Sequence, residues 1–83
     1  MNRRWFLYII ECADGSLYTG ITTDLVRRIA RHNQGRAAKY TRARTPVKLV
    51  HSEICECESS ARKREAEIKK LSCYDKLKII NKH

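Results

Sequence analysis

Apolar residues run almost unbroken from Trp5 to Cys12, with Glu11 the one charge, and return from Leu17 to Ile21, and both stretches are rich in aromatic and β-branched residues. Ala13-Asp14-Gly15-Ser16 lies between them, so the pattern predicts a hairpin. Loop length decides its register. A two-residue Asp14-Gly15 turn would send Tyr8 and Tyr18 to opposite faces, because side chains alternate along each strand. A three-residue Ala13-Asp14-Gly15 loop with a left-handed glycine puts Tyr8, Ile10 and Tyr18 on one face. Leu7, Ile9, Leu17 and Ile21 then collect on the other. That cleaner segregation favours the three-residue loop.

The period then changes to that of a helix, with Leu25, Val26, Ile29 and Ala30 as its apolar stripe. Thr22, Thr23 or Asp24 can cap its start, and Asn33 and Gly35 end it. Residues 35 to 46 have no lasting period and read as a flexible basic loop. Val47 to Cys55 has strand composition through Val47, Leu49, Val50 and Ile54. A helix capped by Ser59 or Ser60 runs to Leu71 with Ala61, Ile68 and Leu71 inward. Ser72 caps a last helix, with Asp75 three residues on and Cys73, Leu77 and Ile80 as its apolar side. No repeat or second domain interrupts this order. The chain therefore reads as one α+β domain over residues 1–83: a small, three-stranded, mostly antiparallel sheet flanked by helices in the order β-β-α-β-α-α.

Charge narrows the partners. Over 83 residues, 18 Lys and Arg oppose 9 Asp and Glu, a formal net charge of +9. Positive potential that dense on a small surface suits nucleic acid first and an anionic membrane second. No segment reaches the roughly 20 apolar residues that span a bilayer. Arg3-Arg4 followed by Trp5 to Ile10 resembles the start of a leader, but Glu11 ends the run early and no small-residue cleavage site follows. The expectation is a cytoplasmic protein. Cys12, Cys55, Cys57 and Cys73 are then free thiols, and Cys55-Glu56-Cys57 is too tightly spaced for the usual zinc knuckle. An amphipathic basic last helix, with Lys76, Lys78 and Lys82, leaves a membrane or protein adaptor as a third reading. Its apolar side is needed on the sheet, so no membrane partner is expected.

Hydrolysing a phosphodiester takes an activated water and neutralisation of charge building on the phosphate oxygens. Tyr8 and Tyr18 share a hairpin face, and Arg28 and His32 lie four apart on the next helix, as do Arg27 and Arg31. The later helix offers Glu65 and Glu67, which flank the Ala61-Ile68-Leu71 stripe on opposite sides, so periodicity leaves both open. Glu67, near Lys63 and Lys70, also suits a solvated ion-pair role. Arg36, Lys39, Tyr40, Thr41, Arg42 and Arg44 extend the cationic surface, with Lys39-Tyr40-Thr41 suited to a phosphate or a stacked base. His51 and Trp5 read as packing residues.

Taken together these residues resemble the GIY-YIG nuclease superfamily, nearest to its small stand-alone bacterial members. Leu7-Tyr8-Ile9 looks like the first motif, with Leu7 where glycine or valine often stands, and Tyr18-Thr19-Gly20 looks like the second. Arg28 falls ten residues after the second tyrosine, His32 follows it, and the resemblance chooses Glu65 as the metal-binding glutamate. It implies a DNA endonuclease using one ion, Mg²⁺ or Mn²⁺, held by Glu65. Arg28 would bind the scissile phosphate, Tyr8 would serve as base and Tyr18 would orient water or phosphate. His32 is the alternative base or a phosphate ligand. With a reference pKa near about 10, Tyr8 would need neighbouring cations or a metal-bound water to act, a field that Arg28 and the ion could provide. Selectivity for branched or damaged DNA, as in DNA repair, would come from shape, helped by a protein partner or homodimer. The competing expectation is a nucleic-acid-binding module of the same fold without useful turnover.

Overall fold

The computed structural model describes residues 4–81. Arg3 of the leader-like run and Lys82 of the last helix lie outside the described residues. Strands β1 (Trp5–Glu11), β2 (Leu17–Thr22) and β3 (Lys48–Cys55) form one antiparallel sheet in the order β2-β1-β3. Helices α1 (Leu25–Asn33), α2 (Lys39–Arg42), α3 (Glu58–Lys69) and α4 (Cys73–Ile80) complete the chain. The expected order holds, with one addition: the stretch read as a flexible loop contains the single turn of α2.

The hairpin adopts the three-residue turn. Ile10 pairs with Tyr18 and Tyr8 with Gly20, Cys12 N–H donates to the Ser16 carbonyl at 2.8 Å, and Gly15 takes φ +86°. A side chain at Gly15 would be strained in that left-handed conformation. The two faces segregate as the pattern requires. Tyr8, Ile10, Cys12 and Val47 form one buried cluster with Tyr18, Leu25 and Ile29 against it. Leu7, Ile9 and Ile68 form the other, backed by Leu17, Ile21, Leu71, Ile79 and Ile80. Leu7, standing where the resemblance expects glycine or valine, is fully buried beneath α3. Packing, not backbone freedom, is what that position supplies.

Three helix readings are corrected. On α1, Val26 is 82 % exposed and Ala30 is also exposed, while His32 is buried. The inward face is therefore Leu25, Ile29 and His32, with Arg28 half-buried at its edge. A polar residue took an inward position because its ring nitrogens find partners there. Helix α3 is capped by Cys57, not by Ser59 or Ser60. Ser60 answers as N3, accepting from the Cys57 N–H at 3.2 Å. On α4, Ser72 caps as expected, accepting from Asp75 N–H at 3.1 Å. However, Cys73 and Leu77 face solvent, and Ile79 and Ile80 supply the packing.

On β3 the pairing with β1 slips between Ile9 and Ile10, since Ile9 faces His51 and Ile10 faces Leu49, leaving Val50 as the extra residue. The bulge aims His51 and Glu53 at the α3 face. Arg64 of α3 grips Glu53 with two nitrogens at 2.8 and 3.1 Å, and His51 Nε2 lies 2.8 Å from the same carboxylate. His51 is thus a partner of an ion pair more than a packing residue. These contacts, Arg64 first, hold the Glu53 carboxyl below the usual carboxylate range. Ile54, one of the residues that gave β3 its strand composition, is 64 % exposed.

Two isoleucine and valine positions test this packing. Ile68→Ala, which empties a fully buried site, is expected to destabilise the fold by about 2–5 kcal/mol. Val26→Ala, on the solvent side of α1, is expected to stay within about 0.5 kcal/mol. Urea unfolding followed by far-UV circular dichroism reads both, and equal losses would contradict the rotation of α1 described above.

Candidate functional site

Four elements converge at β2. Tyr8 projects from β1 across β2 at Gly20, and the ring covers the glycine so closely that a Cβ there would lie 2.5 Å from Tyr8 Oη. Gly20 is therefore required for lack of a side chain, its φ being ordinary. The Tyr8 hydroxyl lies 2.8 Å from His32 Nε2. Tyr8 and Tyr18 both meet the imidazole edge-on, with centroids 5.8 and 5.3 Å away and interplanar angles of 67° and 64°. The other imidazole nitrogen, Nδ1, lies 2.8 Å from Thr41 Oγ1, and the Thr41 hydroxyl donates to the Ala38 carbonyl at 3.2 Å. His32 and Thr41 are both fully buried.

The local sequence explains each placement. Asp24 caps α1 by accepting from Arg27 N–H at 3.1 Å, which starts the helix directly after β2. Arg28 and His32 then recur one turn apart on the side facing the hairpin. Asn33 fastens the far end of α1 to the start of β3, its amide accepting from Val47 N–H at 2.7 Å and donating to Val47 O at 3.3 Å. Helix α2 is pinned to the hairpin turn. Ala13 N–H donates to Arg44 O at 2.8 Å, Arg44 Nε donates to Asp14 Oδ2 at 3.0 Å, and Arg44 Nη1 donates to Tyr40 O at 2.7 Å.

Glu65 reaches the same edge from the opposite face. On α3, Ala61 and Ile68 are fully buried against the sheet, Arg64 turns toward β3, and Glu65 turns the other way with its side chain 21 % exposed. Its charge is felt at the Tyr8 phenol. Glu67 is 65 % exposed and pairs with Arg64 at 3.1 Å, so the structure separates the two glutamates that periodicity left open. Glu67 keeps the solvated role expected of it, with Arg64 in place of Lys63 and Lys70.

Electrostatics set the protonation states. Burial is the largest influence on Tyr8 and raises the phenol well above its ordinary value; the Tyr18 hydroxyl and Glu65 raise it further, and Arg28 opposes them without prevailing. Among the protein's own groups, removal from water outweighs the one guanidinium that favours the phenolate. His32 is lowered, by burial first and Arg28 second, so it is neutral at pH 7.

The cationic residues fall into two groups. Arg27, Arg28 and Arg31 line a cleft of about 370 Å³ with Thr22, Thr23 and Asp24. Arg36, Lys39 and Arg42 are exposed on and around α2, and Tyr40 is 40 % exposed. Two expected contacts change. Thr41 is buried beneath this surface with its hydroxyl engaged, so it cannot touch a phosphate. Arg44 spends its guanidinium on Asp14, the Tyr40 carbonyl and the Tyr40 ring, 4.1 Å from the ring centroid. Tyr40 in turn stacks toward Tyr18 at 6.0 Å and 22°. Gly20 and the true place of Thr41 escaped the pattern reading. The three-residue turn already paired Tyr8 with Gly20, which was the available signal for the first; nothing local signalled the second.

Whether the residues fit a divalent ion can be judged from the donor set. Among the described residues no group of three or more His, Cys, Asp or Glu gathers, which argues against a closed structural site. One half-buried carboxylate held only by an i,i+4 pair to Lys69 at 3.2 Å suits Mg²⁺, which keeps its waters and takes few protein ligands. An i,i+4 pair whose lysine is 53 % exposed contributes little, so Lys69 yields easily.

Residues 4–77 match the family model of the GIY-YIG catalytic domain. The chain is 58 % identical over 77 residues to the UPF0213 protein DP2720 of Desulfotalea psychrophila, covering 92 % of this chain and 70 % of that protein. It is 51 % identical over 76 residues to the UPF0213 protein SSP2268 of Staphylococcus saprophyticus, covering 92 % and 93 %. The solution NMR structure of the UPF0213 protein BH0048 from Bacillus halodurans shares the fold with a TM-score of 0.60 at 44 % identity, over 93 % of this chain and 82 % of that one.

Two outcomes follow from this geometry. Gly20→Ala is expected to displace the Tyr8 ring and cost about 1–3 kcal/mol by overpacking, read as a lower urea midpoint with altered His32 ring shifts; unchanged shifts would show that the cradle is slack. His32 also predicts a pH effect. Its folded-state pKa is depressed, while the unfolded imidazole titrates near about 6.5. The unfolded chain therefore takes up the extra proton, and the contribution is complete above about pH 6.5 and lost as pH falls from there to the folded value. The urea midpoint should drop between pH 7.5 and 5.5, and drop less in His32→Gln.

Proposed function

The chain belongs to the GIY-YIG catalytic domain family, a family of nucleases, and we propose that it is a metal-dependent endonuclease that hydrolyses DNA phosphodiester bonds. The observation that carries this reading is the buried Tyr8 hydroxyl, 2.8 Å from a neutral His32 and within the fields of both Arg28 and Glu65. A purely structural tyrosine needs a hydrogen-bond partner; it does not need a guanidinium and a carboxylate gathered around it.

In this reading Arg28, half-buried at the end of a cationic cleft, binds the scissile phosphate and opposes the charge that develops on it. Tyr8 accepts the proton of the attacking water while its own proton passes to His32 Nε2. The raised phenol makes this a coupled transfer, because a free phenolate would not persist in that burial. Tyr18, packed edge-on against His32, orients water or phosphate at the mouth of the site. Glu65 holds one divalent ion, Mg²⁺ or Mn²⁺. When bound, the ion supplies a Lewis acid that offsets charge on the phosphate oxygens.

Arg27 and Arg31 beside Arg28, with Arg36, Lys39 and Arg42 around α2, grip neighbouring phosphates, a sequence-independent contact. Shape rather than base identity then selects the site, which favours branched or damaged DNA and a place in repair. The footprint is short, so a partner protein or a second copy extends it. No helix among the described residues is long and apolar enough to cross a membrane, and four free cysteines suit the reducing cytoplasm.

The test is cleavage of supercoiled plasmid and of branched duplexes with Mg²⁺ or with chelator. Wild-type protein is expected to cut only with the ion. Tyr8→Phe and Glu65→Gln are each expected to lose about 100- to 10,000-fold while keeping salt-dependent binding. Ion-independent products, or cutting by either variant at the wild-type rate, would reject the mechanism; binding without any cutting would leave a nucleic-acid-binding module.

A further inference from the structure

We infer that Thr41 is a positioning residue that fixes His32 as the Nδ1–H tautomer and so leaves Nε2 free to accept the Tyr8 proton. The inference rests on the reading of Tyr8 and His32 above, but its first test does not depend on cleavage.

A threonine hydroxyl has one proton and two lone pairs. Here the proton is directed to the Ala38 carbonyl at 3.2 Å, so only lone pairs remain for the imidazole nitrogen 2.8 Å away. That nitrogen must therefore carry the hydrogen. In a neutral imidazole the second nitrogen then bears the lone pair, and the Tyr8 hydroxyl at 2.8 Å donates to it. Every donor in the chain is satisfied in this arrangement: Tyr8 O–H to Nε2, Nδ1–H to Thr41, and Thr41 O–H to Ala38.

The reverse chain fails the same accounting. If Thr41 donated to Nδ1, Nε2–H would donate to Tyr8, and the Tyr8 proton would need another acceptor. Tyr8 is 2 % exposed, and His32 is its only hydrogen-bond partner among the described residues. The contact to Ala38 would also be lost. During attack the atoms balance: the water O–H bond breaks as its proton joins Tyr8 Oη and its oxygen bonds phosphorus, the P–O bond to the departing strand breaks and that oxygen takes a proton from solvent, the Tyr8 O–H bond breaks as its proton joins Nε2, and the Nδ1 hydrogen stays on Nδ1, donated to Thr41 Oγ1. His32 leaves the step as imidazolium, bonded at both nitrogens.

The scaffold holds Thr41 still. It sits in the single turn of α2, and that turn is fastened to the hairpin loop through Ala13, Asp14 and Arg44. The hairpin turn that sets the register of Tyr8 thus also positions, through α2, the group behind His32.

Long-range ¹H–¹⁵N correlation spectra of ¹⁵N-histidine-labelled protein near pH 7.5 read the tautomer directly. His32 is expected to show a protonated Nδ1 and a pyridine-like Nε2; the opposite pattern in wild-type protein overturns the inference whether or not the protein cuts DNA. Thr41→Val, nearly the same shape, is expected to lose the Nδ1–H pattern and at least about 10-fold of the cleavage rate, a share of what a positioned proton acceptor contributes. Thr41→Ser is expected to restore both. An unchanged tautomer in Thr41→Val, or a changed tautomer with unchanged cleavage, also overturns it. Should wild-type protein prove unable to cut, the spectra alone decide the tautomer, and only the proton-transfer reading falls.

Discussion

With Ala13, Asp14 and Gly15 as the turn, Tyr8 stands opposite Gly20 and Tyr18 opposite Ile10. One residue fewer in that loop would reverse every side chain of β2 relative to β1. Tyr18 would then enter the core beneath α3, and Leu17 and Ile21 would face α1. The register is held from both sides, by the apolar set that must meet α3 and by the contacts that tie the turn to Arg44. Loop geometry and hydrophobic segregation demand the same pairing, which is how a short hairpin acquires a unique one.

The site that results is a compromise between dryness and charge. Burying Tyr8 and His32 makes each hydrogen bond stronger and each ionised form costlier. Arg28 remains half-buried at the rim, where it lowers both groups' pKa values without being stripped of water itself. The outcome is a neutral pair between which a proton can move only when something outside draws it. Such a pair is quiet in the absence of substrate. The cationic cleft of Arg27, Arg28 and Arg31 lies open beside it, so the charged groups and the buried pair are neighbours on separate surfaces.

The pattern of the chain carried the sheet, the hairpin register and the placing of both tyrosines on one face, because those follow from period-two spacing and the length of the turn. It misplaced the α1 stripe. A helix with Val26 and Ala30 beside Leu25 and Ile29 reads as an apolar face, yet a histidine with two buried partners competed successfully for the inward side. Thr41 was illegible for the same reason. Its value lies in a partner nine residues away, and in a segment with no period a threonine beside Lys39 and Arg42 looks like surface. Glu65 and Glu67 were equivalent on the helical wheel until the position of β3 was known, since Arg64, drawn to Glu53, engages Glu67 on the solvent side and leaves Glu65 the more buried of the two.

Helix α3 couples stability to chemistry more tightly than any other element. Ile68 completes the apolar cluster under Leu7 and Ile9, while Glu65, three residues earlier on the same helix, is the carboxylate proposed to hold the ion and pairs with Lys69. Arg64, gripping Glu53, fixes the rotation of the helix about its axis. A change that let α3 roll would move Glu65 even if the core stayed closed. A domain of 83 residues has too little interior to assign packing and function to different elements, so the same three turns must serve both. That sharing explains why the proposed site draws on the sheet's first hairpin, one face of α1 and one edge of α3.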